Sequence, residues 1–330
     1  MADVKRYLFA FVCSVALSVV LGAVIIPLLK RLKAGQNILG YVDNHAGKAG
    51  TTTMGGLIFA LSALVCYFIF SKNRGRIAMV LAAVAFSYLV VGFLDDLIKI
   101  KGGKNEGLTA KAKLAFQCAI ALIISVYTYV RGYTDFFIPF VNKYLDLGVF
   151  GSVIVFFVFI ATTNCVNLTD GLDGLAGGVS YVALLLFFSL SNVQLYLFPE
   201  NFVSPGECED VAFFCLVQAG AIIGFLQYNT FSASVFMGDT GSLYLGGFIA
   251  CAAIFCGNTF FIPVFGIMFV VSGISVIIQV LRFKTTGKRV FLMAPLHHHF
   301  EYKGHSESKI VFTYKLITLL VGILGIISVI

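Results

Sequence analysis

Apolar residues fall in ten blocks, each near the twenty that carry a helix across a bilayer. They cover 7–29, 55–71, 77–94, 112–130, 148–166, 176–198, 211–228, 240–257, 260–282 and 310–330. No strand-like alternation interrupts them, so the pattern predicts an all-α, polytopic membrane protein of about ten transmembrane helices. The connections alternate in character. Setting the loop after the first block inside collects fifteen Lys and Arg on the inner loops, from Lys30 to Lys309, against seven outside, from Lys5 to Lys143. That excess predicts a cytoplasmic face for the inner loops and both termini outside. With neither a repeat nor a dividing linker, residues 1–330 read as one integral domain.

Composition narrows the class. At 59% hydrophobic and 12% charged residues, with a mean hydropathy of +0.96, the chain holds more apolar surface than one water-facing fold can bury. Tyr must serve the interfacial belt, because there is no Trp. Seven of the eight Cys lie inside apolar blocks and only Cys208 falls in a polar stretch, which argues against a disulfide framework or a zinc cage. Membrane lipid is the expected surrounding, and no nucleic-acid partner is expected.

Five acids break the apolar pattern, and the predicted topology brings all of them to the inner face. Asp95 and Asp96 end the third block, Asp170 and Asp173 follow the fifth, and Asp239 opens the eighth. At mid-bilayer each would cost about 2.5–3.5 kcal/mol. A water-reached interfacial cleft is therefore their expected place, and their mutual repulsion invites a divalent cation. Neighbours on a helix point about 100° apart, so Asp95 and Asp96 cannot grip one ligand side by side. Asp96 and Lys99, at i and i+3, share a face, which predicts one ion pair beside one free carboxylate.

Four motifs land on that face. In Asn164–Gly178, Asp170 and Asp173 are each followed by Gly, while Asn164, Asn167 and Thr169 add neutral oxygens suited to a sugar, a base edge or a hard metal. Close packing explains the glycines but not the acids. Phe236-Met-Gly-Asp-Thr-Gly-Ser242 starts a helix whose amides and dipole favour a phosphate, with Gln227 and Asn229 just upstream. His297, His298 and His299 are consecutive and cannot converge on one zinc ion, so imidazoles reaching over a diphosphate are the better reading. Gly47-Lys-Ala-Gly-Thr-Thr-Thr53 supplies Lys48 and hydroxyls in a phosphate-friendly turn, though not in the order of a P-loop.

Phe93–Lys99, Asn167–Gly174, Phe236–Ser242 and Pro295–Glu301, taken in order, resemble the polyprenyl-phosphate N-acetylhexosamine-1-phosphate transferases. The triple His followed by Phe-Glu is most similar to the bacterial branch acting on phospho-MurNAc-pentapeptide. Thr52, Cys165 and His305 stand where Pro, Ala and Trp are usual. The resemblance implies ten transmembrane helices in a bacterial plasma membrane, a homodimer, and Mg2+-dependent transfer at the cytoplasmic face. UDP-MurNAc-pentapeptide and undecaprenyl phosphate would give lipid I and UMP. It further implies Asp239, with Asn167, as metal ligands. Asp95 and Asp96 would serve the lipid phosphate, with Asp95 as base. Lys111, His297 and His298 would stabilise developing charge. Lys48, Thr53, Asn167, Asp170, Asp173, Asn229, Phe236 and Gly238 would line the substrate cleft. A secondary transporter is the rival class, but it calls for acids near the midplane and broken helices.

Overall fold

The computed structural model describes residues 2–32, 51–102, 107–202 and 204–330. Among these, nine helices are long and apolar enough to cross a membrane, and a shorter apolar one makes the tenth. They are α1 (Ala2–Arg31), α2 (Gly56–Phe70), α3 (Arg76–Gly102), α4 (Ala110–Arg131), α5 (Gly148–Thr169), α6 (Leu175–Leu197), α7 (Pro205–Asn229), α8 (Gly238–Phe255), α10 (Ile267–Thr286) and α12 (Glu307–Ile327). One-turn α9 (Ile262–Phe265) precedes α10, and α11 (Leu296–Tyr302) precedes α12. The ten predicted spans map onto these helices in order, with the ninth divided between α9 and α10.

α8 is the axis of the bundle. Every residue from Thr240 to Phe255 is buried, so its all-round apolar sequence reflects a helix enclosed by protein rather than facing lipid. Glycines permit the close approach of its neighbours. A side chain at Gly92 of α3 would collide with the Asp239 carbonyl, and that contact presses the start of α8 against the turn of α3 carrying Asp95 and Asp96. The outer helices instead expose large apolar residues such as Leu8, Ile123, Leu281 and Leu324, the surface expected where lipid replaces water.

Three boundaries differ from the pattern-based expectation. α3 does not stop at its acids but continues two turns to Gly102. Asp95 lies about 30 Å along it from Arg76, one bilayer core's length, so the acids sit inside a helix at the rim. α7 begins at Pro205, which puts Cys208 in a helix where it is buried, not in a polar loop. Residues 131–147 contain a small antiparallel hairpin, β1 (Asp135–Ile138) with β2 (Lys143–Asp146). Four-residue strands are too short for alternation to announce them.

Candidate active site

Helix ends set the site. The C-terminal ends of α3, α5 and α7 meet the N-terminal ends of α4, α6, α8 and α12 at one end of the bundle, which brings distant polar residues together. Asp95, Asp96 and Asp239 offer carboxylate oxygens that all lie within 4.8 Å of one another. Asp239 is the hub. Its Oδ2 accepts from Lys99 Nζ at 2.7 Å and Lys113 Nζ at 2.9 Å, while its Oδ1 accepts from Asn167 Nδ2 at 2.5 Å. Asn167 Nδ2 also lies 2.8 Å from Ser242 Oγ.

The two adjacent α3 acids do different work. Asp95, rather than Asp96, makes the close ion pair with Lys99, at 2.6 Å across i,i+4, whereas Asp96 stays 4.0 Å from that ammonium. The expected i,i+3 pair is thus replaced by the i,i+4 pair on the same face. Asp96 turns instead to the start of α8. Its Oδ1 accepts from Asp239 N at 3.2 Å, and its Oδ2 accepts from Thr240 N at 3.0 Å and Thr240 Oγ1 at 2.7 Å. These are the first amides of α8, which has no side-chain cap of its own. The expectation that they bind a phosphate gives way to a carboxylate cap supplied by α3. Asp95 Oδ1 accepts from Leu108 N at 2.9 Å, and a side chain at Gly107 would run into the same carboxylate.

Lys113, not Lys111, reaches the cluster. The buried stripe of α4 runs through Gln117, Ala121, Ile124, Ser125 and Thr128. One helical repeat before Gln117 is Lys113, while Lys111 lies about 200° around the helix from Lys113 and is exposed. That stripe was the signal in the sequence that identifies the inward lysine. Thr53 is buried beside Asp96, since a side chain at Gly238, where φ is +70°, would meet both. Lys48 lies outside the described residues.

The remaining expected residues form a wall. Asp173 is buried, and its Oδ2 accepts from Ala233 N at 3.0 Å, so it orders the loop between α7 and α8. Asn229 Nδ2 donates to Val235 O at 2.9 Å within that loop. Phe236 is clasped through its backbone, donating to Thr52 O at 2.7 Å and accepting from Gly55 N at 2.8 Å. These three hold the loop that delivers Asp239. His297 is buried and the His298 ring lies tilted against it, with ring centroids 4.4 Å apart. Both rings pack where a side chain at Gly171 would stand, next to Asp170. His298 Nδ1 lies 3.0 Å from Glu301 Oε2, and His299 Nδ1 accepts from Leu292 N at 3.1 Å. His299 is thus turned away from the other two, and the three imidazoles do not converge on one point. Asp170 ends α5, where loss of water, reinforced by the charges of Asp239, Asp96 and Asp173, holds its carboxyl well above the usual carboxylate range.

Chemically, this donor set suits a small hard cation. Asp239 and Asp95 supply charged oxygens, and the Asn167 carboxamide can offer a neutral third. Three carboxylates face two ammoniums within the cluster, and Asp170 adds a further acid beside it.

The family described as Glycosyl transferase family 4 matches residues 76–257. The chain is 44% identical over 322 residues to the phospho-N-acetylmuramoyl-pentapeptide-transferase of Clostridium botulinum (strain Alaska E43 / Type E3), covering 97% of this chain and 96% of that protein. Proteins of the same name are 42% identical in Clostridium perfringens (strain 13 / Type A), over 95% of each chain, and 41% identical in Bacillus subtilis (strain 168), over 97% of this chain and 96% of that one. Similarity at this level over nearly the whole length carries the conclusion that this chain belongs to the phospho-N-acetylmuramoyl-pentapeptide-transferases of glycosyl transferase family 4.

Proposed function

We propose that the chain transfers phospho-MurNAc-pentapeptide from UDP-MurNAc-pentapeptide to undecaprenyl phosphate, releasing UMP and forming lipid I for peptidoglycan synthesis. The observation carrying this reading is the convergence of Asp95, Asp239, Asn167, Lys99 and Lys113 from four helices on one point. A phosphate oxygen of the lipid attacks the phosphorus bonded to the sugar. The bond from that phosphorus to the oxygen of UMP breaks, and UMP carries the electron pair away. One phosphoanhydride replaces another, so positioning and charge neutralisation dominate the barrier.

Asp95 is held at one oxygen by Leu108 N and at the other by Lys99. That orientation suits a base taking the remaining proton of the lipid phosphate. A phosphate monoester loses its second proton near pH 6, so this assistance is modest at neutral pH. Asp239, with Asn167 beside it, is the residue that would hold Mg2+, which when bound supplies Lewis-acid stabilisation of the diphosphate. Lys113 and Lys99 offer positive charge to phosphoryl oxygens. Lys111, His297 and His298 are the further residues that would stabilise charge on the nucleotide and the diphosphate.

The excess of Lys and Arg on the inner loops supports a cytoplasmic site in a bacterial plasma membrane, and the family resemblance supports a homodimer. Detergent-purified protein given both substrates and Mg2+ is expected to release UMP, to stop on chelation, and to resume when Mg2+ is restored. UDP-GlcNAc in place of the muramyl donor is expected to give none. UMP release from UDP-GlcNAc alone would move the assignment to a related hexosamine-phosphate transferase.

A further inference from the structure

We infer that Lys113 is a displaceable counter-ion that holds the cation position of Asp239 until a divalent cation takes it, and that it then pairs with a phosphate anion bound to that cation. This rests on the assignment of Asp239 as the metal-holding residue and adds to it a coupling between two ligands.

Both oxygens of Asp239 are engaged in this structure. Its Oδ2 takes two ammoniums, Lys99 at 2.7 Å and Lys113 at 2.9 Å, and its Oδ1 takes Asn167 at 2.5 Å. A hard cation sits about 2.0–2.1 Å from a carboxylate oxygen. With both ammoniums in place, such an ion would be held against two like charges at close range, so at least one must withdraw. The two lysines are not equally free to do so. Lys99 is anchored a second time by Asp95 at 2.6 Å, on its own helix. Lys113 comes from α4, and Asp239 is the carboxylate it pairs with in the cluster.

Lys113 is also the lysine that can move. It sits in the first turn of α4, four residues after the Thr109 cap, and among the described residues Asp239 is the carboxylate that holds it, whereas Lys99, though more exposed, is tied to Asp95 as well. On withdrawing from Asp239, its ammonium leaves the cation position and stays tethered to the first turn of α4 beside the cluster. A phosphate bound to that cation then meets Lys113 as a second positive partner. Cation and anion therefore favour each other's binding, because the anion recovers for Lys113 the charge partner that the cation took from it. In the absence of both ligands Lys113 neutralises Asp239 and keeps the cluster from carrying unpaired acids.

The test is Mn2+ binding to the purified full chain, followed by electron paramagnetic resonance with and without UMP. Lys113→Met is expected to bind Mn2+ alone at least tenfold more tightly than wild type, and UMP should tighten Mn2+ binding less in the variant than in wild type. Lys113→Arg keeps the charge and is expected to match wild type. Unchanged or weaker Mn2+ binding in Lys113→Met would overturn the inference, as would equal tightening in Lys113→Arg, which would make the effect one of packing. Asp239→Asn separates the two levels of the proposal. If it binds Mn2+ as wild type does, the metal assignment itself fails. If it loses Mn2+ while Lys113→Met gains nothing, only the counter-ion role fails. Wild-type protein gives a second readout that needs no variant. Amine labelling of Lys113, read by mass spectrometry, is expected to speed up when Mn2+ is added alone, and an unchanged rate would count against the release of Lys113 from Asp239.

Discussion

Asp210 and Asp239 both lie near the start of a helix, at opposite ends of the bundle, yet their surroundings have nothing in common. Asp210 takes hydrogen bonds from the Tyr67 hydroxyl, from Ser71 Oγ at 2.6 Å and from Gly75 N at 2.6 Å. All three donors are neutral, and they belong to α2 and to the turn into α3, so this acid fixes a connection. Asp239 is met by two long lysines and an amide drawn from three other helices. Neutral donors from one connection make an acid structural; cationic donors reaching in from several helices make one whose partners can be exchanged for a ligand. Burial alone does not separate the two classes. Asp96 shows this, since it is as buried as Asp95 but spends its oxygens capping α8.

The largest expected effect tests that division inside the site. Asp95→Asn is expected to lower turnover on the order of 10³-fold with little change in melting temperature, because it removes charge where the substrate reacts. Asp96→Asn should lower turnover and stability together, the latter by about 1–2 kcal/mol, as a helix cap does. Loss of activity without loss of stability in Asp96→Asn would return that residue to the substrate.

At the other end of the bundle the effect moves to stability. Asp210→Ala leaves the Tyr67 hydroxyl, Ser71 and the Gly75 amide without their acceptor, and should cost roughly 2–5 kcal/mol in thermal or denaturant unfolding. Turnover per folded molecule should stay within a few fold of wild type.

Much of this contrast was legible before any coordinates. Apolar blocks located ten spans, and the expense of acids in lipid singled out Asp95, Asp96, Asp170, Asp173 and Asp239. The roles within that set were not legible, because they depend on which helix end faces which. Spacing favoured Asp96 as the partner of Lys99, and only the contact of Gly92 with α8 explains why Asp96 is drawn to the amides of Asp239 and Thr240. Lys113 was legible in principle from the buried stripe of α4 but lay hidden behind the more obvious Lys111. Asp173 and Asn229 read as ligands, whereas their side chains order the loop before α8. A buried polar side chain serves a loop as readily as a substrate.

The smallest effect belongs to Asp170. Its carboxyl is held above the ordinary range in the folded chain, so the folded state binds this proton more tightly than the unfolded one. The stability this contributes is complete below the unfolded value of about 4 and is lost as pH rises towards the folded value. Asp170→Asn cannot lose it. In the absence of cation, the variant should therefore melt above wild type at pH 7, with the gap closing as pH falls below about 4. A variant that melts below wild type at pH 7 would show that the acid is stabilised by a partner rather than opposed by its neighbours.

The most direct test places the two acids side by side. UMP release from UDP-MurNAc-pentapeptide in the presence of undecaprenyl phosphate and Mg2+ is measured for Asp239→Asn and Asp210→Asn, matched for folded protein. Asp239→Asn is expected to fall to background at every Mg2+ concentration while Asp210→Asn keeps turning over. Equal turnover in the two would contradict the account.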